Sequence, residues 1–406
     1  MREMRGGKRA VITTAILAFA MASSGRASAG DCDSRILSTC INADSFWPHA
    51  GPSRFAAVGG TETTPSGRAS FGLVTSYLSR PIVVHLPSPG PSGSDRDVVD
   101  NQVNGTFLFA YGVTNRLELD LALPVTFAQN GSGASAITGG ADLSTTATRD
   151  LRFGATFAIV PRTRRAVWAP RVGPREGNDW SLAARFEISG PTGDRQQFAS
   201  DRGTVFLPSL AADVRAGRFF GGAEAGLRIR PVTEFAGARM GSQASFALGA
   251  GVDVVGHDLL SITAEVRALP VLVEQATVSR DGGQLTSIPN GKLIAPAEWA
   301  LGVRTAPLAA GDFAIQATGG GWLPLSSEAP VTTPRFRFSL SLVFAPRGYD
   351  SDGDGIFDAQ DQCPAQAGPK VSEGGVGCPE RPLVPEILDI TRDASPPPPS
   401  EPPKTP

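Results

Sequence analysis

The chain has 406 residues, with charged residues at 19 % and glycine (47) and proline (34) abundant. That length suits one large domain or two of medium size, and that composition favours many turns over long helices. The formal net charge of -2 excludes the basic surface that nucleic-acid phosphates require, so no nucleic-acid partner is expected.

The first residues form a processing segment. Arg2, Arg5, Lys8 and Arg9 make a basic start, and Ala10 to Ala22 is apolar but too short to span a bilayer. Ala27-Ser28-Ala29 fits a cleavage site, so residues 1–29 read as a signal peptide and the mature chain starts near Gly30. Removing five basic residues and Glu3 leaves a charge near -2 - 4 = -6. Lipidation at Cys32 is not expected, because Asp31 stands where a small residue is needed and Ala29 replaces the usual leucine. The four cysteines fall in two local pairs, Cys32 with Cys40 and Cys363 with Cys378. In an exported chain an even count favours disulfides, and no histidine near either pair supports zinc.

No apolar stretch beyond residue 30 reaches the length of a membrane helix, so membrane residence would need a closed barrel. From about residue 69 to 346 the chain alternates with period two. Leu117, Leu119, Leu121, Leu123 and Val125 share one face, and Glu118, Asp120 and Ala122 the other. Twelve strands are expected near 69–86, 100–112, 115–129, 149–161, 179–190, 204–216, 218–231, 242–255, 258–270, 296–307, 312–324 and 334–346. Most run 10 to 14 residues, longer than globular strands of about 5–6 and long enough for a tilted membrane strand of about 9–11.

Short connections alternate with long ones rich in Gly, Ser, Thr and Asp, the pattern of outer-membrane barrels with short periplasmic turns. Only the 161–178 connection breaks that rhythm. The expected fold class is therefore all-β, a transmembrane antiparallel up-and-down β-barrel, in preference to a soluble β-sandwich, whose strands are shorter. The even strand count places both termini in the periplasm.

The inward faces carry both signs: Glu118, Asp120, Glu187, Asp213, Glu224, Asp253, Glu265 and Glu298 against Arg152, Arg185, Arg215, Arg228, Arg230, Arg267, Arg304, Arg335 and Arg337. Such a balanced lumen either knits itself closed with ion pairs or lines a narrow polar pore, whereas a strongly selective pore would show one sign.

In Asp350 to Asp361 carboxylates fall at loop positions 1, 3, 5, 9 and 12, with Gly355 at the sharp turn. This oxygen-rich spacing suits one Ca²⁺, bound by Asp350, Asp352, Asp354, Asp358, Asp361 and the carbonyl of Ile356. The three histidines, His49, His85 and His257, are far apart, and no hydrolase or phosphate-loop motif is present, so no enzyme is expected. A Ser–His hydrolase at the barrel rim is the minor alternative.

Tyr111-Gly112-Val113-Thr114-Asn115-Arg116-Leu117-Glu118-Leu119 and Gly190-Pro191-Thr192-Gly193-Asp194 resemble hairpin and strand-end motifs of OmpA-family outer-membrane barrels. Asp350 to Pro364 is similar to a thrombospondin type 3 repeat, which in that family often links the barrel to a peptidoglycan-binding domain. The closing pattern of that domain is absent, and Pro396 to Pro399 lead into the end of the sequence.

The expected organisation is a signal peptide (1–29), a periplasmic N-terminal segment (30–68), a barrel (69–346), a calcium-binding repeat (347–380) and a Pro-rich disordered tail (381–406). The expected role is an outer-membrane structural or pore protein, with a transporter of small, apolar solutes as the alternative. Its partners would be outer-membrane lipid and, through the tail, other envelope proteins.

Overall fold

In the computed structural model the described residues are Cys32, 34–86, 94–138, 142–162, 180–256, 259–281, 284–308, 312–326, 331–352, 354, 356, 358, 360–369 and 375–379. The expected signal peptide, Pro-rich tail, His257 and most of the 161–178 connection lie outside them. They fall in two units, one within 1–162 and 178–347 and the other after residue 347.

The first unit is a closed barrel of twelve antiparallel strands. They are β1 (Ala69–Leu86), β2 (Ser94–Gly112), β3 (Leu117–Asn130), β4 (Arg152–Val160), β5 (Trp180–Ser189), β6 (Val205–Ala216), β7 (Phe219–Arg228), β8 (Gln243–Val255), β9 (Leu260–Ala268), β10 (Ala297–Leu308), β11 (Phe313–Trp322) and β12 (Phe336–Phe344). Each strand pairs with its neighbours in sequence. β12 closes on β1, with Phe71 opposite Phe344 and Leu78 opposite Arg337. Closure leaves no unpaired edge, as a bilayer demands. All twelve expected strands form. β2 starts earlier than its alternation suggested, because Ser94 to Val99 continue the ladder against Ile82 to Leu86 beyond two register shifts.

The apolar face points outward. Leu119, Phe153, Leu210, Leu248, Ile262, Leu301 and Phe338 are exposed on the outside of the wall, and Glu118, Thr156, Ser181, Glu265 and Ser339 are buried within. In water such a surface would be untenable; against lipid it is stable. The wall has the build of a membrane-spanning β-barrel, with an outer face suited to lipid.

The C-terminal ends of β2, β6, β8 and β10 lie at one end of the barrel. The long connections gather at the other, where Ile82, Val99, Phe198, Phe235, Met240, Val271 and Ile294 form an apolar cap.

Residues 34–68 are not a separate periplasmic segment. They run through the barrel as a plug without strand structure. At the long-loop end Ser38 N–H donates to the Glu234 carbonyl, and Ala43 N–H to that of Phe198. At the short-turn end Thr63 Oγ1 donates to the Asn115 carbonyl, and Ser66 pairs with Gly112. The sequence pattern could not place this segment, because it has no period and its partners are scattered over the whole wall.

Candidate functional site

The lumen and its plug form the candidate site. Four arginines stand within two residues of the long-loop ends of their strands: Arg152 opening β4, Arg228 closing β7, Arg267 near the end of β9 and Arg337 near the start of β12. They converge on plug residues 44–48. Asp44 pairs with Arg337 (2.9 Å) and with Arg149 just before β4 (3.1 Å). The Ser45 carbonyl accepts from Arg228 and Arg267, and the Pro48 carbonyl from Arg152. The Phe46 ring lies beneath Arg267 and Arg337 (5.2 and 5.0 Å), and the Trp47 ring beneath Arg152 and Arg228 (4.9 and 4.4 Å). These are cation–π distances.

Further along the plug the pairing inverts. Glu265 accepts from the Ala56 and Ala57 amides (2.9 and 2.6 Å), Glu224 from Gly59 (2.8 Å) and Glu118 from Thr64 (2.6 Å). His49 lies between Glu187 (2.7 Å) and Glu224 (3.4 Å), with Arg185 at 2.9 Å from its Nδ1. The plug thus offers oxygen and aromatic faces to the arginine collar, and N–H groups to the wall carboxylates. A buried charge left without such partners would cost several kcal/mol.

Wall ion pairs complete the network. Glu298 joins Arg267 (2.7 Å) and Arg337 (2.8 Å), and Glu187 meets Arg152 at 3.5 Å and Arg185 at 3.4 Å. At the short-turn end Arg215 pairs with Asp253, and Asp213 with Arg162 (2.6 Å). Asp120 sits against Gly154, where a Cβ would approach its carboxylate to 2.5 Å.

Most inward charges expected from alternation therefore face the lumen, Arg304 among them. Two depart. Arg230 lies beyond the end of β7, where it pairs with Asp201 of a long loop (2.9 Å). Arg335 precedes β12 and is exposed. Asp44, His49, Arg54, Phe46 and Trp47 were missed, because nothing in an aperiodic segment marks it as lumen filling.

At the long-loop end Asp150 accepts from Ser200 Oγ (2.6 Å), Asp201 N–H (2.7 Å) and Gly193 N–H (2.9 Å). Burial and the nearby Asp201 push its carboxyl up to about 6, despite those hydrogen bonds. His85 pairs with Asp95 in the open (2.9 Å).

In the second unit the acidic loop brings together three of its expected ligands. Asp350, Asp352 and Asp354 each offer an oxygen within 4.8 Å of the others. Asp352 Oδ2 and Asp361 Oδ2 are buried without a hydrogen-bond partner. Burial, and then the carboxylates of Asp354, Asp361 and Asp350, push the Asp352 carboxyl above its usual range. Hard oxygens crowded in this way fit Ca²⁺. Asp358 is engaged elsewhere, accepting from Ser351 N–H (2.8 Å) and Oγ (2.6 Å), and Asp361 accepts from Cys363 N–H (2.7 Å). Ile356, whose carbonyl was the sixth expected ligand, is buried and donates its N–H to Asp354 (2.8 Å). Disulfides join Cys363 to Cys378 and Cys32 to Cys40.

No protein-family model and no curated protein matches the chain. Solved structures share its barrel fold at low identity. An outer-membrane channel from Pseudomonas putida F1 is 17 % identical, over 70 % of this chain and 98 % of that one, with a TM-score of 0.47. A Pseudomonas aeruginosa FadL homologue is 12 % identical over 78 % and 99 % (TM-score 0.34). The Ralstonia pickettii toluene transporter TbuX is 10 % identical over 68 % and 88 % (TM-score 0.32).

Proposed function

We propose that the protein is an outer-membrane channel for small solutes, closed at rest by its N-terminal segment. The carrying observation is the division of labour in the lumen. Wall charges that an inert barrel could pair among themselves are satisfied in part by a segment that joins the wall through hydrogen bonds, ion pairs, ring contacts and apolar packing, with no strand of its own in the ladder. Such contacts can be exchanged for those of a solute, whereas a wall packed on itself cannot open without unfolding. This reading agrees with the transporter alternative drawn from the sequence better than with a purely structural role. The similar solved barrels are named as channels and transporters, one of them for toluene.

The long-loop end is read as the outer side, by the general habit of such barrels. That places the start of the plug outside and the end of β12 in the periplasm, in contrast to the expectation that both termini are periplasmic. The acidic loop is read as a Ca²⁺ site that follows the barrel in the sequence, supported by the three converging aspartates and the likeness to a thrombospondin type 3 repeat. The test of the channel is solute flux into proteoliposomes. The intact chain should pass small solutes slowly, and a chain lacking residues 34–62 at least tenfold faster. Equal flux at background level from both would overturn the reading.

A further inference from the structure

Arg228 stands apart in the collar. It is 4 % exposed, and among the described residues no carboxylate lies within ion-pairing distance of it. Both terminal nitrogens donate to one peptide oxygen, that of Ser45 (3.3 and 3.4 Å), and its Nε has no partner. A buried guanidinium satisfied by one carbonyl and the face of Trp47 is short of negative charge. Beside it lies a small cavity bounded by Phe46, Trp47, His49, Glu224 and Arg267 among others.

The collar offers two kinds of contact. Guanidinium edges bind a carboxylate through paired N–H donors, and guanidinium faces stack on aromatic rings. The plug already uses both, with Asp44 on the edges of Arg337 and Arg149 and Phe46 and Trp47 beneath the faces. We propose that the arginine collar is a binding site for small aromatic carboxylates, and that Asp44 to Trp47 occupy it as a built-in surrogate. The solute's carboxylate would take the place of the Ser45 carbonyl on Arg228 and Arg267, and its ring the place of a plug aromatic. A neutral aromatic could use only the faces, an aliphatic acid only the edges, and an amine neither.

This inference rests on the channel reading, and the test separates the two. Flux of benzoate, cyclohexanecarboxylate, benzyl alcohol and benzylamine is measured in proteoliposomes of the full chain. Benzoate should exceed benzylamine by about tenfold, the worth of one charge-assisted contact. Arg228→Gln should lower the benzoate to benzyl alcohol ratio about tenfold. Arg228→Lys should keep acids ahead of the amine but narrow the advantage of benzoate over cyclohexanecarboxylate, because an ammonium keeps the attraction of charge for a ring and loses the planar face that stacks on it. Trp47→Leu should lower the benzoate concentration giving half-maximal flux, since the surrogate then competes less well. If Arg228→Gln does not assemble, judged by its heat-modifiable band, the Lys and Trp47→Leu variants decide. Equal flux of benzoate and benzylamine, or ratios unmoved in the variants that assemble, overturns the aromatic-acid site and leaves the channel standing. Absence of flux for all four solutes, in the intact and the plug-truncated chain alike, overturns the channel itself.

Discussion

The ring of Phe55 fills the space where a side chain on Gly249 would stand, and a Cβ there would come within 2.7 Å of it. The wall has therefore left room for the plug. Gly222 on β7 does the same, at 2.9 Å from that ring. Gly249→Val should force Phe55 off the wall without altering the lipid face, at a cost of about 1–3 kcal/mol to plug seating. The expected result is an intact heat-modifiable barrel with raised solute flux. Flux no higher than wild type would show that Phe55 does not help to close the lumen.

Asp44 anchors the plug at its long-loop end. Asp44→Ala would leave Arg149 and Arg337 with one buried carboxylate fewer, a change of about 3–5 kcal/mol for a broken buried pair. Limited proteolysis should then cut within residues 34–60 of the folded variant and spare that segment in the wild type. Equal resistance would mean that the plug is held by its other contacts.

The wall was legible in the sequence and the plug was not. Alternation along 117–125 fixed which residues face lipid, because period two leaves no freedom once one face is apolar. The same alternation put Ala122 on the inner face. There it is 4 % exposed, in an apolar cluster with Phe46, Ala50, Val74, Leu108 and Ala110. Arginine at that position would displace the plug, so the lipid face is tested at Leu121 alone. Leu121→Arg against Leu121→Ala isolates the bilayer term. The arginine variant should lose about 2–4 kcal/mol of folding stability near mid-depth, and equal stability of the two in lipid would contradict the outward face. The acidic loop was legible in part. Local spacing fixes Asp350, Asp352 and Asp354, whereas Ser351 bonding to Asp358 depends on how the loop folds back.

The long-loop cap should respond to pH through Asp150. Its carboxyl titrates near 6 in the fold, against an ordinary value of about 3.9. A group raised on folding stabilises below its unfolded value and loses that contribution as pH rises through its folded one. Residues 193–201 should therefore be better protected at pH 5 than at pH 7.5 in hydrogen exchange, after correction for the intrinsic rate. Asp150→Asn should flatten the difference. A loop better protected at the higher pH would reverse the assignment.

Calcium should order the acidic loop. Titration of the full chain should show one weak site, with Kd on the order of 10⁻⁴–10⁻³ M for an exported module, and Asp352→Ala with Asp354→Ala should abolish it while the barrel still assembles. No calcium heat at millimolar concentration in the wild type would reduce the segment to an acidic linker.

The central claim, that the N-terminal segment closes the lumen, is met most directly at Thr61 and Ser181. Their hydroxyls are 2.7 Å apart and buried, so Thr61→Cys with Ser181→Cys can tether the plug to β5. Single-channel current is recorded on the oxidised double variant, then after reductant, with wild type under the same reductant to account for the native disulfides. Silence is expected while the tether holds, and wild-type openings once it is cut. Openings of full size through the cross-linked protein would contradict it.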